Sequence, residues 1–129
     1  MNNALFGDTI HLDGIIQSFA EHFVGASPNG ISAGENDDRF KSAIQAGIAF
    51  YRNVGVRSMV IVGQEVKLLD TLHALVTIQW KCIYDHQSRE GEINFVNYYL
   101  VQGRSNDIVK IFAYVTGDEK KAFEELGLL

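Results

Sequence analysis

Four histidines, one cysteine and a short acidic run are the side chains of this 129-residue chain best suited to chemistry, and their spacing limits what they can do. His11 and His22 fall within one amphipathic stretch, where helical geometry puts them ~16 Å apart, too far to share a metal. His73 and His86 fall at expected strand ends, and neither has a His-x-His or carboxylate spacing beside it. No zinc or iron site and no cofactor is expected. Cys82 stands alone, so it cannot close an internal disulfide, which agrees with a reducing compartment. As a nucleophile it would need a base and an electropositive pocket, and the neighbouring sequence promises neither. Glu35, Asp37 and Asp38 are most simply the favourable first-turn charge of a helix. The stretch "GASPNGISAG" has the glycines of a phosphate loop but no lysine until Lys41, so it does not cradle phosphate.

The elements that must position these residues follow from periodicity. Leu12, Ile15, Ile16, Phe19 and Phe23 recur at intervals of three and four, which predicts a helix over residues 9–23. Pro28 suits the second position of a turn and Asn29-Gly30 tolerates positive φ, so Ser27–Gly30 reads as a β-turn joining Phe23–Ala26 to Ile31–Ala33. A second helical stripe, Phe40, Ile44, Gly47, Ile48 and Tyr51, follows the cap candidates Asn36 and Asp37 and stops near Asn53 and Gly55. Beyond Gly55 the period becomes two. Turn signals divide the rest into four strands, Arg57–Leu69, Leu72–Asp85, Glu92–Gln102 and Asp107–Thr116, joined as antiparallel hairpins. A short closing helix follows, with Thr116 and Glu119 in capping-box register, Phe123 and Leu126 on its apolar face, and Gly127 at its stop.

Composition narrows the class. The chain has the length of one ordinary domain, with 47% hydrophobic and 21% charged residues, and it shows no internal repeat or domain boundary. Its 11 basic and 16 acidic residues leave a net charge of −5 with the basic residues dispersed, which would repel a nucleic-acid backbone. No apolar run approaches the ~20 residues of a membrane helix, and "MNNALFGDT" lacks the basic flank of a signal peptide, so a cytoplasmic protein is expected. The element order is α+β.

That order, with local wording, resembles the nuclear transport factor 2-like superfamily, which includes ketosteroid isomerases and polyketide cyclases of the SnoaL type. "HLDGIIQSFAEHFVGASPNG" resembles the family's helix leading to a Pro-x-Gly turn. "AIQAGIAFY" is similar to its helix before the sheet, "GQEVKLL" to its first long strand and "IVKIFAYVTGDEKK" to its last strand and exit. The resemblance implies a single domain over residues 1–129 with the usual first helix truncated. Its fold would be a curved antiparallel four-stranded sheet plus a small hairpin, wrapped around two or three N-terminal helices to form a cone, with a short C-terminal helix: a cystatin-like roll.

Position by position, the isomerase base of the family falls on Ser27, which without a basic partner is a poor proton acceptor. The family's carboxylic acid on the third long strand falls on Asn97, and the carboxylate of the SnoaL cyclases falls in "FAYVTG", which has none. The resemblance further implies a pocket in which Asn97 faces inward with Phe95 and Tyr99. Trp80, Tyr51, Phe19 and Ser27 are its other candidate ligand-binding residues. Asn97 is either a strand amide satisfied by a neighbour or water, or a donor that orients a ligand. Trp80, Cys82 and Tyr84 share one strand face with Val76 and Ile78, where core packing competes with lining a cavity.

The function expected on these grounds is binding of a small apolar organic ligand without the recognised catalytic carboxylates. One alternative is an isomerase, cyclase or dehydratase using another base, such as His22 or Asp85. A second is a non-catalytic dimerisation module. A homodimer through the outer sheet face is expected, because Phe95, Tyr99 and Val101 alternate with Val96, Tyr98 and Leu100, and Phe112 and Tyr114 with Val109, Ile111, Ala113 and Val115. Short helices can cover only one of two apolar faces.

Overall fold

A computed structural model of the protein describes residues 12–103 and 108–128. The expected helix start at residue 9, His11 and the turn around residues 104–107 lie outside the described residues. Among the described residues three helices and six strands follow in the order α1 (Leu12–Gln17), β1 (Phe19–Ser27), β2 (Gly30–Glu35), α2 (Asp38–Asn53), β3 (Val56–Leu68), β4 (His73–His86), β5 (Arg89–Gly103), β6 (Val109–Val115) and α3 (Glu119–Glu125).

The sheet has six strands rather than four, in the order β2-β1-β6-β5-β4-β3, because the small hairpin joins it through β6. Its pairs are antiparallel except β1 with β6, which run parallel. Parallel pairing arises there because the intervening chain leaves the hairpin through α2 and returns along the sheet as a meander. Phe19, Ile111, Tyr99, Val76 and Ile61, one from each of β1, β6, β5, β4 and β3, line a single cavity, so the sheet curls around it.

The helix expected over residues 9–23 ends early. The Ser18 N–H and Oγ both bond to the Gly14 carbonyl, at 3.1 and 2.8 Å, and close the last turn. Phe19–Ser27 is a strand. Phe19 and Phe23 are four apart, a spacing that puts two side chains on one face of a helix and equally of a strand. The ambiguity is resolved by pairing, since the segment finds β2 on one side and β6 on the other. The turn at Ser27–Gly30 forms as expected, with Gly30 at φ 132.

Helix α2 starts at Asp37, whose carboxylate accepts from the backbone N–H groups of Arg39 and Phe40. Those bonds, that to Phe40 foremost, hold the Asp37 carboxyl below its ordinary range. Asn36, the other cap candidate, instead donates to the carbonyls of Ile16 and Phe19 at 2.7 and 3.1 Å, which ties the end of α1 to the start of α2. The closing helix is capped by Asp118, whose side chain accepts from the Lys121 N–H, and not by Thr116. Gly127, at φ 73, ends it.

A bulge changes the expected alternation on β6. Leu100 pairs with Ala113 but Val101 with Ile111, so one residue is extra. Ile111 therefore faces the cavity together with Tyr114, while Phe112 packs edge-on against His73.

The packed core gathers at one end of the roll: Val54, Val56, Met59, Cys82, Ile93, Phe123 and Leu128, with Phe50, Tyr51, Trp80, Tyr84, Phe95 and Ala122 against them. Phe123 and Cys82 are fully buried. The apolar stripe of α2 runs from Phe40 and Ile44 on the cavity to Phe50 and Tyr51 on this core.

Candidate functional site

The cavity inside the roll has a volume of about 440 Å³. Its walls are apolar because inward positions alternate along each strand: Val76, Ile78 and Trp80 on β4, Tyr99 and Val101 on β5. Ile15 of α1 and Phe40 and Ile44 of α2 close the other side. No Asp, Glu, Lys, Arg or His lines it among the described residues; its polar atoms come from Ser18, Trp80, Tyr99 and Tyr114.

One end of this cavity is polar. Asn97 Nδ2 donates to the Tyr99 hydroxyl at 3.3 Å. Asn97 Oδ1 and Trp80 Nε1 are buried with no hydrogen-bond partner among the described residues. Either orientation of the Asn97 amide leaves one of its two polar ends unmatched. Burial pushes the Tyr99 phenol up, opposed by the Asn97 hydrogen bond. The Trp80 indole lies close enough to help hold it down but does not complete a hydrogen bond to it. Buried polar atoms without partners are rare and costly, about 1–3 kcal/mol each, and they concentrate here.

Of the seven residues expected to form the site, Phe19, Trp80 and Tyr99 line the cavity. Asn97 sits one layer back, reaching it through Tyr99. Phe95 and Tyr51 lie on the packed side, their rings 5.9 Å from that of Phe123. Ser27 does not line the cavity. Its hydroxyl accepts from the Asn29 N–H at 3.1 Å and serves the hairpin turn. Cys82 is core, its thiol pushed up to about 11 by burial and then by the Glu119 charge. Tyr84 is core as well.

The two bases considered for an enzyme are not on the cavity. His22 is exposed on β1, beside Glu21, and lines a second hollow of about 720 Å³ with Phe23, Glu35, Asp37 and Arg39, which borders the cavity at Phe40 and Tyr114. Asp85 is the penultimate residue of β4, where its N–H bonds to the Gly55 carbonyl at 2.9 Å. Among the described residues no three His, Cys, Asp or Glu side chains gather in a metal-holding group, and no helix is long and apolar enough to cross a membrane.

The titratable group that sequence reasoning missed is Glu119. It had the register of a capping residue, but its carboxylate turns inward and accepts from the Tyr51 hydroxyl at 2.5 Å. Burial pushes this carboxyl up, with the Tyr51 bond opposing. Burial also raises the Tyr51 phenol, and the Glu119 charge adds to it. These partners are 68 positions apart, and no local pattern signals such a pair.

No family model matches the chain, and no curated relative matches it. Solved structures do. An NTF2-like protein of unknown function from Shewanella oneidensis superimposes with a TM-score of 0.58 at 20% identity, covering 83% of each chain. A ketosteroid isomerase-like protein from Erwinia carotovora gives 0.57 at 13% identity, over 82% of this chain and 79% of that one. An NTF2-like protein with a cystatin-like fold from Novosphingobium aromaticivorans gives 0.61 at 13% identity, over 92% of this chain and 76% of that one. At such identities the likeness is one of architecture, and the architecture of this chain is that of the nuclear transport factor 2-like proteins.

Proposed function

We propose that this protein is a small-molecule-binding domain that holds a neutral, mainly apolar organic compound in the cavity between α2 and the sheet. The observation that carries this reading is the cavity itself. Protein interiors pack without voids larger than a water, yet about 440 Å³ stays open here among the described residues, behind apolar walls. A charged ligand would lose its hydration without gaining an ion pair, so the occupant is uncharged. Its single polar group, a hydroxyl or carbonyl, lies against Tyr99 and Trp80. Asn97 holds the Tyr99 hydroxyl in place instead of touching the ligand first.

The chain's single tryptophan, Trp80, is on the cavity wall, so its emission reports occupancy. Titration with an uncharged apolar dye is expected to saturate at one dye per chain and to change Trp80 fluorescence. Asn97→Leu should weaken the binding of a hydroxyl-bearing ligand by about 1–3 kcal/mol while leaving a pure hydrocarbon unaffected. Failure of every uncharged apolar probe to saturate would overturn the reading.

Glu119 favours a second reading, an isomerase, cyclase or dehydratase, because buried carboxyls with raised pKa gather at active sites. Its carboxylate is off the cavity wall, so such chemistry would have to pass through Tyr99. The third reading, a non-catalytic dimerisation module, needs a roll filled by its own side chains, and the open cavity weighs against it.

The partner in this reading is a second copy of the chain. Val96 and Tyr98 of β5, Val115 of β6 and Ile83 of β4 are 39–48% exposed on the outer face, Val115 directly opposite Tyr98. A homodimer would cover this patch, and a single-chain mass by light scattering at micromolar concentration would count against it. We place the protein in the cytoplasm, where the free Cys82 thiol stays reduced, and we take residues 1–129 as one domain with a short first helix.

A further inference from the structure

The two hollows meet at Phe40 and Tyr114, which line both. The strand ladder fails at this point. β1 advances from Phe19 to Val24 while its parallel partner β6 advances only from Ile111 to Ala113, so residues 20–23 pair with no residue of β6. Elsewhere in the sheet the irregularities amount to single extra residues. The seam is tied on both sides of the gap, by the Ile111 N–H on the Ser18 carbonyl at 2.8 Å and the Thr116 N–H on the Ala26 carbonyl at 2.9 Å. His22 and Phe23 on one flank of the gap and Phe112 on the other all line the second hollow. That hollow therefore opens onto the gap.

Four aromatic rings fill the gap among the described residues. Phe40, from the first turn of α2, packs between Phe19 and Phe23, its centroid 4.9 and 4.7 Å from theirs. Tyr114 stands farther off, 6.0 Å from Phe19 and 6.2 Å from Phe23. Within the described residues it is held by ring packing and makes no hydrogen bond. The far end of its ring rests on Gly25, its partner on β1, where a Cβ would collide with it. Glycine supplies the seat. A ring held by packing alone can change rotamer without breaking a polar contact, so Tyr114 is the part of the partition that gives way.

We propose that the gap between β1 and β6 is the entrance to the inner cavity, with the second hollow as its vestibule and Tyr114 as the ring that swings to admit the ligand. The inference rests on the reading of the inner cavity as a ligand site. It fits the same chemical class. His22, Glu35 and Arg39 border only the vestibule and aromatic rings line the throat, so an uncharged apolar compound passes inward without carrying a charge out of water.

Entry and exit share one barrier in this scheme, so a change confined to the vestibule moves both rates together. Stopped-flow mixing with Nile red, an uncharged apolar dye, would measure association and dissociation from the dye's own emission. Tyr114→Ala removes the swinging ring and should speed association about tenfold. Ser32→Phe works in the opposite direction. Ser32 is exposed, lines the second hollow but not the cavity, and pairs with Gly25, so a ring placed there shares the face on which Tyr114 turns. It should slow association and dissociation by the same factor, about tenfold. An association rate unchanged from the wild type in either variant would overturn the entrance while leaving the cavity as a ligand site. If Tyr114→Ala does not fold, Ser32→Phe, at its exposed position, decides alone. Failure of Nile red and other uncharged probes to bind the wild type would instead overturn the reading of the cavity, and the entrance with it.

Discussion

The two ends of this roll are built from the same strands and come out differently. On β4, Ile78 and Trp80 border an open cavity, while Cys82, two positions on, is fully buried. On β5 the same change occurs between Tyr99 on the cavity and Ile93 in the core. The alternating pattern is continuous through both, so the strands themselves do not distinguish packed from hollow. What differs is the cover. The packed end receives Phe123 and Leu128 from the closing segment and Phe50 and Tyr51 from the last turns of α2. Among the described residues the hollow end receives Ile15 from the six-residue α1 and Phe40 and Ile44 from the start of α2, which border the space without filling it. A ligand site in this fold is thus a place where inward strand residues outnumber the side chains that descend on them.

The largest effect should come from opening the packed end. Phe123→Ala removes the largest fully buried side chain and should cost about 3–5 kcal/mol in urea denaturation, because the surrounding strands cannot collapse into the space. Tyr51→Phe is next. It leaves the half-buried Glu119 carboxyl without its hydrogen-bond donor and should cost about 1–2 kcal/mol, measured the same way. The hollow end should respond in the opposite sense. Val76→Phe adds bulk where there is space, so stability should stay within about 1.5 kcal/mol while binding of an uncharged apolar dye falls at least tenfold. Equal stability losses at Val76 and Phe123 would mean that the cavity is not open in solution. The smallest effect is expected at the β4–β5 turn, outside both ends, where Gln87 and Ser88 hold φ values of 52 and 66. Ser88→Gly should raise the thermal midpoint, with a gain of about 0.5–1 kcal/mol.

Much of the layout was legible in the sequence. The four long strands, the turn at Ser27–Gly30, the body of α2 with Asp37 at its start, and the stop at Gly127 all follow from period, turn chemistry and capping. The first helix was misread because Phe19 and Phe23 fit both periods, and only the neighbours β2 and β6 choose between them. Asn97, Tyr99 and Trp80 could be singled out as polar or aromatic residues on inward strand faces. Their order of approach to the cavity could not, since it depends on which side chain the curled sheet leaves in front.

Local physics therefore carried the elements: side-chain periodicity, caps and glycine-tolerant turns act over a few residues and are written in consecutive positions. Tertiary structure decided the rest. It made one six-stranded sheet of a meander and a hairpin, moved Ile111 rather than Phe112 to the inner face through a bulge, and left a hollow beside a packed core. It also brought Glu119 under Tyr51 from 68 positions away. Each of these depends on which distant surfaces meet when the sheet curls, and burial, the force that drives the meeting, acts on area and has no memory of sequence separation.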